Sequence, residues 1–442
     1  LTVQAVTALC IFIIAYILII TERIHRTKIA IMGGVLLVVL RVMPQSDAFE
    51  FIDFNTIGLL TGMMLLISVI KETGLFSYIA IRIAKKTKGD GWKILLWFSL
   101  FTAVASALLD NVTTVLLIAP ITILIAEMLD IPPFPFLVAE ILASNIGGAC
   151  TLIGDPPNIL IGSATELSFL DFLIHMGPAA AAVLIVTLLL LKMLFKRQLD
   201  TTYVDQESVL GGMDEKRVIK DVPLLRKSLV VLGLTMAGFV LHDLLGLKPA
   251  TVALAGGGAL LIWSGTDIER RLEEIEWPTL FFFMGLFVLV GGLEKVGILE
   301  SLARGVLSLS GNILILSLCI LWVSALASSF LDNIPFVAAM IPLVARISAS
   351  LFPNTQGLDE AAYHLYYLKS SLPLWWSLAL GACLGGNGTI IGASANVVIA
   401  GFSEKTKSPL SFKNYIRYGF PLMILSIAIS SIYIVMRYLL FR

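Results

Sequence analysis

Apolar residues run along this chain in long stretches broken by short polar clusters, and the order of stretches and breaks occurs twice. Such runs predict membrane-crossing helices, since a hydrocarbon core of ~30 Å takes about 20 residues of helix. In the first half the pattern predicts spans near 3–21, 29–43, 55–81, 137–164 and 177–195, with the paired segments 94–109 and 112–129 between the third and fourth. The second half gives 228–245, 250–264, 278–298, the pair 312–331 and 334–346, then 373–403 and 419–436. Thr56, Gly62 and Gly74 align with Thr279, Gly285 and Gly297, and Asp110, Asn111 and Pro120 with Asp332, Asn333 and Pro342. Thr151, Gly154 and Asn158 align with Thr389, Gly392 and Asn396. A period of roughly 220–240 residues is far longer than a solenoid repeat and points to a duplicated half-transporter.

Composition agrees. Of 442 residues, 58% are hydrophobic and 14% charged, and the mean hydropathy is +0.93, values of a multi-pass membrane protein. Net charge is zero and no basic block stands out, which argues against a nucleic-acid partner. Cys10, Cys150, Cys319 and Cys383 lie in apolar or glycine-rich runs without CxxC spacing, so free packed thiols are expected. The stretch Val3 to Ile20 reads as a retained helix, with no small-residue cleavage site after it. Basic loops (Arg23, Arg26 and Lys28; Arg82 to Lys93; Lys196 to Lys227; Lys405 to Arg417) share the cytoplasmic side if each paired segment enters and leaves on one side. Five crossings per half is odd, so the second copy is inverted and both termini face outward.

The expected fold is therefore an all-α polytopic membrane protein, an inverted repeat of two halves, each of five transmembrane helices plus a re-entrant hairpin and with one broken helix. Residues 1–195 form the first repeat, with its hairpin at 94–129 and broken helix at 137–164. Residues 196–227 form a cytoplasmic linker, mobile over 200–227, and 228–442 the second repeat, with its hairpin at 312–346 and broken helix at 373–403. Asp110-Asn111 has apolar neighbours on both sides and no polar linker, which favours a tip in mid-membrane over a surface turn. The 16-residue limb 94–109 reaches only ~24 Å. Pro156 and Pro157 stop the first half-helix of one break, while Gly385, Gly386, Gly388 and Gly392 supply the flexibility of the other.

Hairpin tips and broken helices present free N–H groups to anions and free carbonyls to cations. The candidate substrate- and ion-binding residues are Asp110, Asn111, Thr113, Thr151, Gly154, Asp155, Asn158, Asp332, Asn333, Thr389, Gly392, Ser394 and Asn396, with Thr114 a further hydroxyl. No Lys or Arg lies in these tips or breaks, and an unpaired carboxylate at that depth takes a proton or a metal cation. Asp110 and Asp332 are the expected carriers of a coupling proton or sodium, with Asn111 and Asn333 beside them as sodium ligands. The alternative role for each aspartate is to N-cap the returning helix of its hairpin. Asp155 aligns with Ala393 and is equally consistent with a turn residue before Pro-Pro. His25, His175, His242 and His364 form no ligand cluster, and no cofactor is expected.

LLDNVTT, NIGGACTLIGDPPN, LDNIPF and LGACLGGNGTIIGASANVV resemble the motifs of the ion transporter superfamily, in its arsenite permease and P protein branch, which is citrate transporter-like in layout. The resemblance extends over nearly the whole chain. It implies a homodimer with a scaffold and a moving transport domain, working by an elevator motion. In the superfamily's dicarboxylate carriers a Ser-Asn-Thr tip helps bind sodium and substrate; the matching positions here are Asp110-Asn111-Val112 and Asp332-Asn333-Ile334.

The expected function is secondary active transport of a small inorganic ion or metalloid, coupled to protons or sodium, in the plasma (inner) membrane of a prokaryote, with no enzyme activity. The alternatives are an anion channel and a sodium-coupled organic anion (dicarboxylate) carrier. An intramembrane aspartyl protease would carry GxGD, and Leu152 replaces its first glycine.

Overall fold

The computed structural model describes residues 2–21, 23–199, 215–354, 359–406 and 408–440. Among them the first half holds α1 (Val3–Thr21), α2 (Arg26–Val39), α3 (Gln45–Glu50), α4 (Phe54–Glu72), α5 (Leu75–Lys86), α6 (Gly91–Leu108), α7 (Asn111–Met128), α8 (Phe134–Gly148), α9 (Pro156–Thr165) and α10 (Phe169–Leu199). The second half runs through the same order: α11 (Val222–Leu241), α12 (Pro249–Ser264), α13 (Ile268–Glu273), α14 (Trp277–Lys295), α15 (Ile298–Leu309), α16 (Ile313–Phe330), α17 (Asn333–Leu351), α18 (Glu360–Gly385), α19 (Ser394–Ser403) and α20 (Phe412–Leu440). Ten of the described helices are long and apolar enough to cross a membrane by length and composition. The chain is an all-helical, multi-pass integral membrane protein.

The halves are locked together by reciprocal crossings of small residues. A Cβ on Gly62 of α4 would stand 2.4 Å from the Ala253 carbonyl carbon of α12, and one on Gly285 of α14 would stand 2.5 Å from that of Ala30 in α2. Only glycine lets these backbones come so close, which is how helices associate where burial of apolar surface gives no net drive. The aligned pair Gly62 and Gly285 thus does the same task twice, in opposite directions across the two halves. Each half also holds a tight triangle, α6 packed on α8 and α16 on α18, with α7 and α17 returning beside them.

Several boundaries differ from those expected. The spans 55–81 and 278–298 each stop early, α4 at Glu72 and α14 at Lys295. Gly74 (φ 81°) and Gly297 (φ 76°) then turn the chain into α5 and α15. Phe76, Ala80, Ile81 and Ala84 form the buried face of α5, with Arg82, Lys85 and Lys86 outside it, so this is an amphipathic segment rather than the end of a span. Pro156 and Pro157 do not end α8, which stops at Gly148; they open α9, where a missing N–H costs nothing. The first hairpin limb, α6, has 18 residues, ~27 Å, longer than the 16 read from hydropathy for 94–109, while α7 has the 18 residues expected of 112–129. The linker is shorter than 196–227. Residues 200–214 lie outside the described residues, α10 continues to Leu199, and α11 starts at Val222. Its described part is tied down rather than loose, by Lys85 to Glu215 at 2.5 Å and by the Lys220 amide donating to the Thr73 carbonyl at 3.3 Å.

Candidate functional site

Each half bends at two places, and the four bends meet. The first hairpin turns at Leu109 and Asp110, and the Asp110 carboxylate caps α7 by accepting from the Thr113 amide at 2.8 Å. The second turns at Leu331 and Asp332, whose carboxylate caps α17 by accepting from the Ile334 amide at 3.1 Å. N-capping of this kind is worth about 1 kcal/mol, so both aspartates have a structural task whatever else they do.

The breaks are held by a set of ties that recurs in both halves. Thr151 Oγ1 donates to the Ala107 carbonyl and Thr389 Oγ1 to that of Ser329, fastening each break to its hairpin. Ser106 and Ser328 hydroxyls donate to the Ser144 and Ala382 carbonyls, both at 2.7 Å. Asn158 Nδ2 reaches the carbonyls of Gly148, Ala149 and Thr151, and Asn396 Nδ2 those of Gly386 and Thr389. Gly154 and Gly392 sit so close to the Gly148 and Gly386 carbonyl oxygens, 2.7 Å from a would-be Cβ, that no side chain fits. These threonines, glycines and asparagines, read as ligands from sequence, also shape the breaks; the threonine hydroxyls and the asparagine Nδ2 groups donate to backbone carbonyls.

What converges at the centre is more selective. Asp155, fully buried, precedes α9 in extended conformation. Its carboxylate accepts from Asn111 Nδ2 of the first tip at 3.2 Å, and from Asn333 Nδ2 of the second tip at 3.2 and 3.3 Å. One acid thus bridges both tips. Because Ala393 holds its repeat position, the bridge exists once. Asn111 also reaches Asn145 Oδ1 at 3.4 Å, and Asn145 Nδ2 donates to Asn387 and Asn396, each at 3.0 Å. In the other half Cys383 stands where Asn145 stands in the first, two residues before the paired glycines, and its thiol meets Asn158 Oδ1 at 3.4 Å. The cysteines are free thiols.

A cavity of about 80 Å³ opens beside this knot, lined by Asp110, Asn111, Asp155, Asn333 and Ser394 and walled by Leu60, Met63 and Met64 of α4. Glu276, which precedes α14 and accepts from Thr279 Oγ1 at 3.1 Å, adds a third carboxylate to the same wall. Asp332 is not unpaired, contrary to the sequence reading. Arg26, expected in a basic loop, is instead the first residue of α2, and its guanidinium is bonded to the Asp332 carboxylate. No such cation pairs with Asp110 or Asp155 among the described residues. No group of three or more His, Cys, Asp or Glu gathers as a metal centre there either. Thr113 contributes its amide to the Asp110 cap, and the buried Thr114 hydroxyl is left without a hydrogen-bond partner. Sequence reasoning missed Arg26, Glu276, Asn145 and Asn387. The last two carried a signal, a lone amide next to paired glycines in an apolar run. Arg26 read only as a loop charge, and Glu276 drew no reading.

The family model described as "Citrate transporter" matches residues 16–381. An uncharacterized transporter of Mycobacterium tuberculosis is 43% identical over 440 residues, covering 98% of this chain and 99% of its own length. A 46 kDa membrane protein of Mycobacterium leprae is 42% identical over 443 residues, covering 99% of each. The P protein of Mus musculus is 35% identical over 518 residues; the match covers 99% of this chain and 60% of that protein. Among solved structures, the Alcanivorax borkumensis YdaH transporter, described as having an unusual topology, superposes with a TM-score of 0.61 at 14% identity over 98% of both chains, a likeness of fold. The chain is a membrane transporter of the citrate transporter family, within the ion transporter superfamily.

Proposed function

We propose that the chain is a secondary active transporter of a small inorganic ion or metalloid, driven by protons or sodium, with the cavity at Asp155 as its binding site. The observation that carries this reading is the bridging carboxylate. Asp155 draws the amides of both hairpin tips onto one acid, and Asp110 and Glu276 face the same space. Three carboxylates line this cavity of about 80 Å³ with one guanidinium, that of Arg26, which is already bonded to Asp332, so protons or a further cation must balance them. That volume suits a small ion with a few waters, far below the ~300 Å³ and above usual for organic ligands. Asp110 and Asp332, with Asn111 and Asn333, exchange the coupling sodium or proton. The capping hydrogen bonds fix the carboxylates without using all their oxygen lone pairs.

Alternating access follows from moving the bends, α6–α9 with α16–α19, past the crossed helices α2, α4, α12 and α14, an elevator motion. A homodimer would hold that scaffold in the bilayer. A sodium-coupled organic anion carrier is the second reading, favoured by the family's description. It requires the site to widen around a substrate several times the cavity's volume.

Purified protein in liposomes, screened with arsenite, antimonite, chloride, sodium and dicarboxylates under imposed pH and sodium gradients, separates these readings. Uptake of a small ion against its own gradient supports the proposal; flux that only follows the electrical gradient indicates a channel. Asp110→Asn and Asp332→Asn should abolish or uncouple that uptake while the protein elutes as the wild type does. Full, normally pH-dependent flux in both variants removes the carrier role.

A further inference from the structure

The two half-sites are filled differently. In the second half, the Arg26 guanidinium donates to the Asp332 carboxylate and, at 3.1 Å, to Ser394 Oγ. The same hydroxyl donates to Asp332 at 2.9 Å, and the guanidinium lies over the Phe282 ring, 5.0 Å from its centroid. A carboxylate, a hydroxyl and an aromatic face together suit a large, weakly hydrated monovalent cation. In the first half Asp110 receives its cap from Thr113 and no cation. The repeat explains the difference. Ala30 of α2 packs at Gly285 as Ala253 of α12 packs at Gly62, and this register sets Pro249 opposite Arg26. Proline has no charge to offer.

The ligands and the cation also come from different parts of the molecule. Arg26 opens α2, which packs along α14, whereas Asp332 and Ser394 stand at the starts of α17 and α19. A motion of the bends relative to α2 that carries Asp332 beyond the reach of the guanidinium breaks this pair.

We propose that Arg26 is a tethered occupant of a monovalent-cation site formed by Asp332 and Ser394, one that must withdraw before a free cation can enter. The inference rests on the reading of the tips as ion sites and deepens it. In the present conformation the second half-site is charged by the protein itself, and Asp110, Asp155 and Glu276 are left to protons or a free cation. The half-sites are therefore loaded out of phase, and an empty carrier keeps Asp332 neutralised.

The test needs no transported substrate. Melting of the purified full chain in detergent is followed with methylguanidinium chloride, sodium chloride or choline chloride at matched ionic strength. Compared are the wild type, Arg26→Ala, Arg26→Lys and Arg26→Ala with Asp332→Asn. Arg26→Ala should melt lower than the wild type. Millimolar methylguanidinium should restore it saturably, by about 2 °C at roughly tenfold the dissociation constant. The wild type, Arg26→Lys and the double variant should gain no more from methylguanidinium than from choline. If Arg26→Ala does not yield folded protein, Arg26→Gln carries the same expectation. An equal methylguanidinium response in wild type and Arg26→Ala, or a response that survives Asp332→Asn, overturns the proposal. Gradient-driven flux with no cation rescue would defeat the tethered-cation idea alone, and rescue without flux would defeat the transport reading alone.

Discussion

Asp155 and Asn158 lie three residues apart in one break, yet the structure gives them different tasks. Asp155 faces two tip amides and the cavity; Asn158 faces three backbone carbonyls of its own break. Asn158→Ala strands those carbonyls in a buried, water-poor place, at a cost of about 1–3 kcal/mol. It should lower the melting temperature by several degrees, and Asn396→Ala should do the same less strongly because two carbonyls are involved. Unchanged melting of both variants would show that the breaks hold themselves. The difference between such neighbours was beyond the reach of sequence. Asp110-Asn111 and the GDPPN cluster stood out because polar residues interrupt apolar runs, and they do meet. Whether an amide turns to its own backbone or toward a partner depends on contacts made over 100 residues away, as between Asn333 and Asp155. Arg26 was misjudged for the same reason: a charge beside a span reads as a topological marker until a distant carboxylate is placed against it.

Helices were legible as apolar runs, and the aligned glycines marked the right places without saying what they do. Hydropathy carried the expected spans through Gly74 and Gly297, because it registers polarity and not a left-handed backbone turn. The amphipathic α5 that follows Gly74 is apolar enough on one face to pass as the end of the expected span 55–81. Gly62 and Gly285 prove to be crossing points, so Gly62→Ala should cost about 1–3 kcal/mol by forcing α4 from α12. A melting temperature equal to the wild type would show that the crossing can open without loss. Outside the membrane segments, Glu166 at the end of α9 accepts a hydrogen bond from Lys248, the residue before α12. That bond, then the lysine charge, holds the Glu166 carboxyl below the usual glutamate range. A carboxyl lowered in the folded state stabilises it above the unfolded value, and the contribution disappears as pH falls from about 5 through the folded value. Both side chains are more than half exposed, so the contribution is small. Lys248→Ala should therefore lower stability slightly at neutral pH, flatten the acid limb, and leave the profile below the folded value unchanged. An acid limb identical to the wild type would exclude this pair as its source.

The molecule as a whole is two sets of helices in one order, joined so that four bends lie side by side. The repeat accounts for the duplicated ties, and departures from it account for the chemistry: Asp155 against Ala393, Asn145 against Cys383, Arg26 against Pro249. An even pair of half-sites would bind alike in both; under the proposed function an uneven pair would let one half take the driving ion while the other is charged internally. The doubling was legible in the sequence, but not that one acid is shared by the tips of both halves, since that depends on how the halves interlock. The central claim, that Asp155 joins both tips into one coupled ion site, is tested most directly by gradient-driven uptake into proteoliposomes by the wild type and Asp155→Asn. Asparagine keeps the size and removes the charge. The account predicts that Asp155→Asn folds and reconstitutes normally but loses uptake against a gradient by at least about 100-fold; uptake with wild-type rate and ion dependence would contradict it.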